Sequence, residues 1–359
     1  MFGKPRTHVG FVLDDALGAR GRMAAVLPHL RSRATVLGPV GVDVPLDAAV
    51  EQVPVNGPAE VLAWVARERP DLLFVDGPDS LVLAAALGEV PVATLLRHGE
   101  RSEERDLVHE VAHGLLAPYP RAFAPRSTGP IDEARVQHVG WLPAPLGPAP
   151  SPLPAAGSSD ARRTMVVVTG RRGAGVEPAD LRAAAAATPG WRWLIAGETT
   201  VAPAPGLEPL GVRHDLLAVL RAADAVVAGA SLSTVAAVAA ADVPMLAVPR
   251  SGRRGAEDEF AALLGALGAA VPLHRWPAPE QWDELLDGAA RMDRASLREG
   301  WDGGSPLRAA TALDGWAGAA AGGAPDPDRR ARLLAWASAG DLPDVPDALA
   351  GAGVPMVGT

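Results

Sequence analysis

Two stretches of this chain place glycines and hydroxyls where an apolar run hands over to a helical pattern. In Gly170-Arg171-Arg172-Gly173-Ala174-Gly175 a glycine-rich turn follows the run TMVVVTG. Backbone N–H groups at the start of a helix are unpaired, and the helix dipole adds partial positive charge, so such a junction attracts an anion. Arg171 and Arg172 add full charges. Gly229-Ala230-Ser231-Leu232-Ser233-Thr234 is a second junction of this kind. There Ser231, Ser233 and Thr234 suit both helix capping and anion contact. The plain alternatives are a surface turn for the first and simple capping for the second. The first is not a Walker loop, since no Gly-Lys-Ser/Thr follows, and it does not match G-x-G-x-x-G in order. His214 opens a helix after Gly211-Val212-Arg213 and is a further candidate contact, with a cap or surface role as the alternative.

Three side chains suit proton transfer. Asp14 and Asp15 close the apolar run HVGFVL beside a glycine turn, where one carboxylate can act as a base or both can serve turn chemistry. His98, in Arg97-His98-Gly99-Glu100-Arg101, follows the run PVATLLR. It can serve as a general base at the end of a strand or sit in a solvated charged loop. Other chemistries are excluded by residue type or spacing. The chain has no cysteine, so thiolate catalysis, disulfides and Cys metal sites fall away. Neither H-E-x-x-H nor G-x-S-x-G occurs. No metal or cofactor is called for.

The elements that must hold these residues alternate between strand and helix. Short apolar runs such as His8–Leu13, Ala34–Gly38 and Asp71–Asp76 read as buried parallel strands. Helical patterns lie between them, as in Met23–Arg31 and Ala59–Arg69. WLPAPLGPAPSPLPAAGSS, residues 141–159, is Pro-rich and uncharged and reads as a stiff linker. The alternation then restarts at residue 164. The expected organisation is an α/β chain with two doubly wound Rossmann-like domains facing a cleft. Residues 1–141 form the first domain, 142–163 the linker, 164–322 the second domain and 323–359 a Pro/Gly-rich tail.

Composition bounds the partners. The 359 residues carry a net charge of −9, and Lys4 is the single lysine. No basic stripe of the kind nucleic acid needs is visible. No uncharged apolar run reaches the roughly 18 residues that suggest a membrane span. The N-terminus MFGKPRTHVG lacks an apolar signal core. A soluble, cytoplasmic protein is expected.

The second half resembles a family. Asp224–Pro249 (DAVVAGASLSTVAAVAAADVPMLAVP), the following Glu257-Asp258-Glu259, VVVTGRRGAG and HRWPAPEQWDELLDGA look like the C-terminal domain of family 28 glycosyltransferases. That group includes the bacterial murein N-acetylglucosaminyltransferase. The first strand, glycine turn and MAAVLPHL look like its acceptor domain, so the likeness spans roughly residues 8–318. It implies a GT-B fold, with nucleotide sugar on the second domain, acceptor on the first and no metal. With the donor on that domain, the candidate donor contacts are Gly170, Arg171, Arg172, Gly173, His214, Ser231, Ser233 and Thr234 from the turns above, together with Asp258 and Glu259, which match the family's D-E-Q. Three departures stand out: the family's loop His falls at Ala19, its ribose-binding Glu at Ala237, and the amide of its D-E-Q at Phe260.

The reading that follows is a transferase moving a sugar from a nucleotide-diphosphate donor to an unidentified acceptor, of the secondary-metabolite or glycan-precursor kind. Asp14, Asp15 or His98 would act as base. The rival readings are a catalytically inactive GT-B-like binding protein, which the missing His and Glu favour, and an epimerase of the same two-domain build.

Overall fold

The computed structural model describes residues 6–14, 16–39, 50–98, 102–125, 131–145, 162–170, 176–213, 215–248 and 256–320, together with 331 and 333. The chain builds two parallel sheets. The first contains β1 (His8–Leu13), β2 (Arg33–Gly38), β3 (Glu51–Pro54), β4 (Leu72–Asp76), β5 (Val92–Leu95), β6 (Gly114–Ala117) and β7 (Val136–His138), in the order β3-β2-β1-β4-β5-β6-β7. The second contains β8 (Arg163–Gly170), β9 (Trp191–Gly197), β10 (Leu207–Gly211), β11 (Ala225–Ala228), β12 (Met245–Ala247) and β13 (Val271–Pro272), in the order β10-β9-β8-β11-β12-β13. Helices cover both faces, so the inner strands are apolar along their whole length, as in β1 and β4, where every residue is buried.

The strand order reverses between β1 and β4 in one sheet and between β8 and β11 in the other. At such a reversal the connections leave toward opposite faces and open a crevice at the carboxyl ends of the strands. Asp14 and Asp76 lie at the first of these points. Gly170 and Ser231 lie at the second.

The helices of the first half are α1 (Leu17–Val26), α2 (Pro58–Glu68), α3 (Asp79–Leu87) and α4 (Glu103–Val111). Those of the second are α5 (Pro178–Ala187), α6 (Leu216–Arg221), α7 (Leu232–Ala241), α8 (Ala256–Ala266), α9 (Trp282–Ala290), α10 (Ala295–Glu299) and α11 (Ser305–Ala320). Three differences from the sequence pattern have tertiary causes. α1 begins at Leu17 rather than Met23, and so contains Gly18 and Gly21. A Cβ at Gly21 would sit 2.6 Å from the Ala144 Cβ, so the glycines serve close approach rather than a turn. β3 and β10 are edge strands that the hydropathy pattern does not mark. β10 carries Pro209, which an edge tolerates. Finally, α11 crosses back to the first sheet, where Ala309, Ala310, Leu313 and Ala317 pack with Val9, Phe11 and Phe74. Its Trp316 fills the space over Gly114, where a Cβ would lie 2.3 Å from the indole.

The join between the halves is tied by buried contacts and hydrogen bonds. Trp141 is fully buried. Its indole N–H donates to Leu297 O at 2.9 Å and its backbone N–H to Gly300 O at 3.0 Å. Arg308 reaches Val139 O from α11 with Nε at 2.9 Å and Nη2 at 2.7 Å. One apolar cluster runs through this join, from Leu96, Tyr119 and Phe123 of the first half to Ala230, Phe260 and Leu264 of the second.

Candidate functional site

The first wall of the site is the carboxyl edge of β1, β4 and β5. Asp14 leaves β1 half-buried, its backbone N–H donating to Asp76 O at 3.3 Å. Its Oδ1 accepts from the Ala16 N–H at 2.9 Å and so turns the chain into α1. Burial raises the proton affinity of the Asp14 carboxyl. The Ala16 N–H opposes this, Asp76 adds to it, and Arg97 and Arg22 pull against it. Asp15 lies outside the described residues.

Asp76 was not singled out by the sequence pattern, yet it is the centre of this edge. It is buried at the end of β4. Arg22, one turn into α1, donates to its Oδ2 through Nη2 at 2.6 Å and Nε at 3.0 Å. Arg97 approaches Oδ1 at 3.4 Å and donates to Gly77 O at 2.8 Å. The available signal was an Asp-Gly closing an apolar run, the same kind of strand end that drew attention to Asp14. His98 follows β5 and is buried between aromatic rings. Desolvation pushes its imidazole down to about 4, with the Phe123 backbone opposing the shift. It is a neutral buried group, not part of a solvated loop.

The second wall is the carboxyl edge of β8 and β11. β8 shifts register against β9 between Val168 and Gly170. Gly170 ends the strand. Arg171, Arg172 and Gly173 lie outside the described residues, as does His214, whose neighbours Arg213 and Asp215 form an ion pair at 2.7 Å. Ser231 is the N-cap of α7: its Oγ accepts from the Thr234 N–H at 3.3 Å and donates to Thr234 Oγ1 at 2.8 Å. Ser233 Oγ lies 3.4 Å from Ser231 Oγ. Asp258 is exposed and Glu259 half-buried in the first turn of α8. Both positions that carry alanine in place of family side chains are buried, Ala19 at 1% exposure and Ala237 at 5%.

The two walls meet. A Cβ on Gly18 would fall 2.7 Å from Ser233 Oγ, so α1 of one domain abuts the N-terminus of α7 of the other. The His98 ring lies against Phe260 of α8. α1, which Asp14's turn starts, thus meets α7, which the Ser231–Thr234 turn starts. Among the described residues no cluster of His, Asp and Glu suited to a metal ion is found, and no helix is long and apolar enough to cross a membrane.

No protein-family model matches the sequence, and no curated protein matches it. Solved structures do match the fold. The glycosyltransferase of kitacinnamycin superposes with a TM-score of 0.65 at 16% identity, over 87% of this chain and 99% of that one. CalG4, the calicheamicin glycosyltransferase, gives 0.62 at 19% identity, over 88% and 99%. UGT89C1 of Arabidopsis thaliana, complexed with UDP, gives 0.62 at 16% identity, over 88% and 99%. The fold is GT-B, two Rossmann-like domains of seven and six strands.

Proposed function

We propose that this chain transfers a sugar from a nucleotide-diphosphate donor to an acceptor hydroxyl. The observation that carries the reading is the meeting of two switch points, with Gly18 of α1 against Ser233 of α7. One wall then offers a carboxylate of raised proton affinity and the other a helix N-terminus. As the acceptor oxygen bonds to the anomeric carbon, its proton passes to Asp14 and the bond from that carbon to the diphosphate breaks. The diphosphate leaves with an extra negative charge. In α7 the Thr234 N–H is occupied by Ser231, while the N–H groups of Leu232 and Ser233 have no intrahelical acceptor and suit that charge.

In this reading Gly170, Arg171, Arg172 and Gly173 serve the diphosphate together with Ser231, Ser233 and Thr234. His214 serves the nucleotide, and Asp258 or Glu259 the ribose. No metal takes part. Because UGT89C1 is complexed with UDP, uridine diphosphate is the first ligand to test. The residues from Asp224 to Pro249 support a donor domain of the family 28 kind. The acceptor class is a secondary metabolite or a glycan precursor, and the setting the cytoplasm. The second reading, an inactive binding protein, is favoured by Ala19 and Ala237, since both positions are buried and offer no polar group.

Leu232→Pro tests the donor site. Leu232 is the first residue of α7, and Ser231 before it is already extended at φ −81° and ψ 148°, so proline fits there and removes one N–H. A lost charge-assisted hydrogen bond of about 1.5–3 kcal/mol weakens nucleoside diphosphate binding roughly 10- to 100-fold in calorimetry. Absence of binding by the parent chain to UDP, TDP and their sugars supports the inactive reading instead.

A further inference from the structure

The domains touch through a ring stack as well as through α1 and α7. His98 belongs to the first domain and Phe260 to α8 of the second. Their ring centroids are 4.0 Å apart, with planes 18° from parallel. Tyr119, just after β6, packs on the imidazole at 4.9 Å, and its hydroxyl is committed to Leu96 O at 3.1 Å. His98 is 7% exposed, and among the described residues neither ring nitrogen makes a hydrogen bond of normal geometry.

We propose that Phe260 is a positioning residue for His98 across the domain boundary, so that the imidazole is organised only while the two domains stand against each other. A face contact fixes the plane of the ring and excludes water, while both nitrogens stay on the unstacked edge. A buried nitrogen without a partner costs free energy. With both nitrogens shut off from solvent, the domain contact holds the imidazole in its neutral form. The proposal concerns the contact between the domains and stands apart from the transferase reading, in which Asp14 takes the acceptor proton. It also gives Phe260 a task at the position where the resembled family carries a donor-binding amide.

The groups around the stack leave burial in control of the proton. Arg97, next in the chain, turns its guanidinium to Asp76 and Gly77. On α8, Glu257 is buried and Glu259 half-buried in the turn that precedes Phe260. Beyond Tyr119 lies His138, 5.8 Å between centroids, and burial also raises the Tyr119 phenol. The His98 shift comes from desolvation, opposed only by the Phe123 backbone.

The experiment is an NMR titration of the full chain labelled at histidine, with His98 assigned through His98→Gln. In the parent the midpoint lies at about 4, and the ring protons carry the upfield shift of a stacked neighbour. Phe260→Ala moves the midpoint toward the ordinary 6.5 and abolishes the upfield shift. Phe260→Tyr restores both. If Phe260→Ala fails to fold, Phe260→Leu, of similar bulk but without a ring, must still lose the upfield shift. A midpoint and shift unchanged in the folded ring-less variant overturn the proposal. If no nucleotide sugar is turned over, the transferase reading falls, and the titration alone decides whether Phe260 organises the ring.

Discussion

Arg22→Met isolates the buried ion pair at the first switch point. The two side chains are only 9% and 4% exposed, and Arg22 places two donors, at 2.6 and 3.0 Å, on a single oxygen of Asp76. Methionine keeps much of the apolar stem and removes the guanidinium. Asp76 then stays buried with Arg97 alone, at 3.4 Å from its other oxygen. Removing one partner of a buried pair typically costs about 3–5 kcal/mol, because the remaining charge loses its compensation. Arg97 is 27% exposed and supplies part of that compensation, so the lower end, about 3 kcal/mol, is expected. At about 2–4 °C per kcal/mol for a domain of this size, Tm falls by about 6–12 °C. The double variant Arg22→Met with Asp76→Leu removes both charges and returns to within about 1 kcal/mol of the parent. Urea unfolding and thermal melts followed by circular dichroism read the free-energy change and the Tm shift. An Arg22→Met protein within about 2 °C of the parent refutes the assignment, as does a double variant no better than the single. A second consequence is electrostatic. Arg22 is one of the charges that hold the Asp14 proton affinity down, so its loss moves the Asp14 titration further up.

Two further outcomes follow from packing and protonation. Burial holds His98 and His109 at about 4 in the folded chain, against 6.5 when unfolded. Between those values the unfolded state binds more protons, so stability rises as pH climbs from about 4 to 6.5 and is lost on acidification, by about 3 kcal/mol per histidine. Urea midpoints measured across that window show the slope, and His109→Leu makes it shallower; an unchanged slope rejects the assignment. Gly18→Leu has no room beside Ser233. It forces α1 and α7 apart at a cost of about 1–3 kcal/mol, enlarges the radius of gyration in solution scattering and weakens nucleoside diphosphate binding. Unchanged scattering and affinity would mean that the helices do not meet as described.

The sequence by itself determined the class of fold and the kind of site. Continuous apolar runs such as Phe11–Leu13 and Met165–Val168, separated by helical patterns, require parallel strands buried on both faces, because a parallel sheet must be covered by its crossover helices. The capping role open to Ser231 was legible because a cap depends on residues only three positions apart. Elements with weak local signals were not legible. β3 is short and mostly exposed, β10 contains proline, and α1 starts in a segment with two glycines whose reason lies in another part of the chain. The site's partnerships belong wholly to the tertiary structure. Arg22 and Asp76 are 54 residues apart, Trp141 and Leu297 156 apart, and no periodicity links His98 to Phe260 or Gly18 to Ser233. Hydropathy and capping are set by neighbours in the chain, whereas ion pairs, ring stacks and close approaches are set by which strand ends the sheet order brings together. That order reverses at β1 and β4 and again at β8 and β11, and only the folded chain shows the two reversals facing each other.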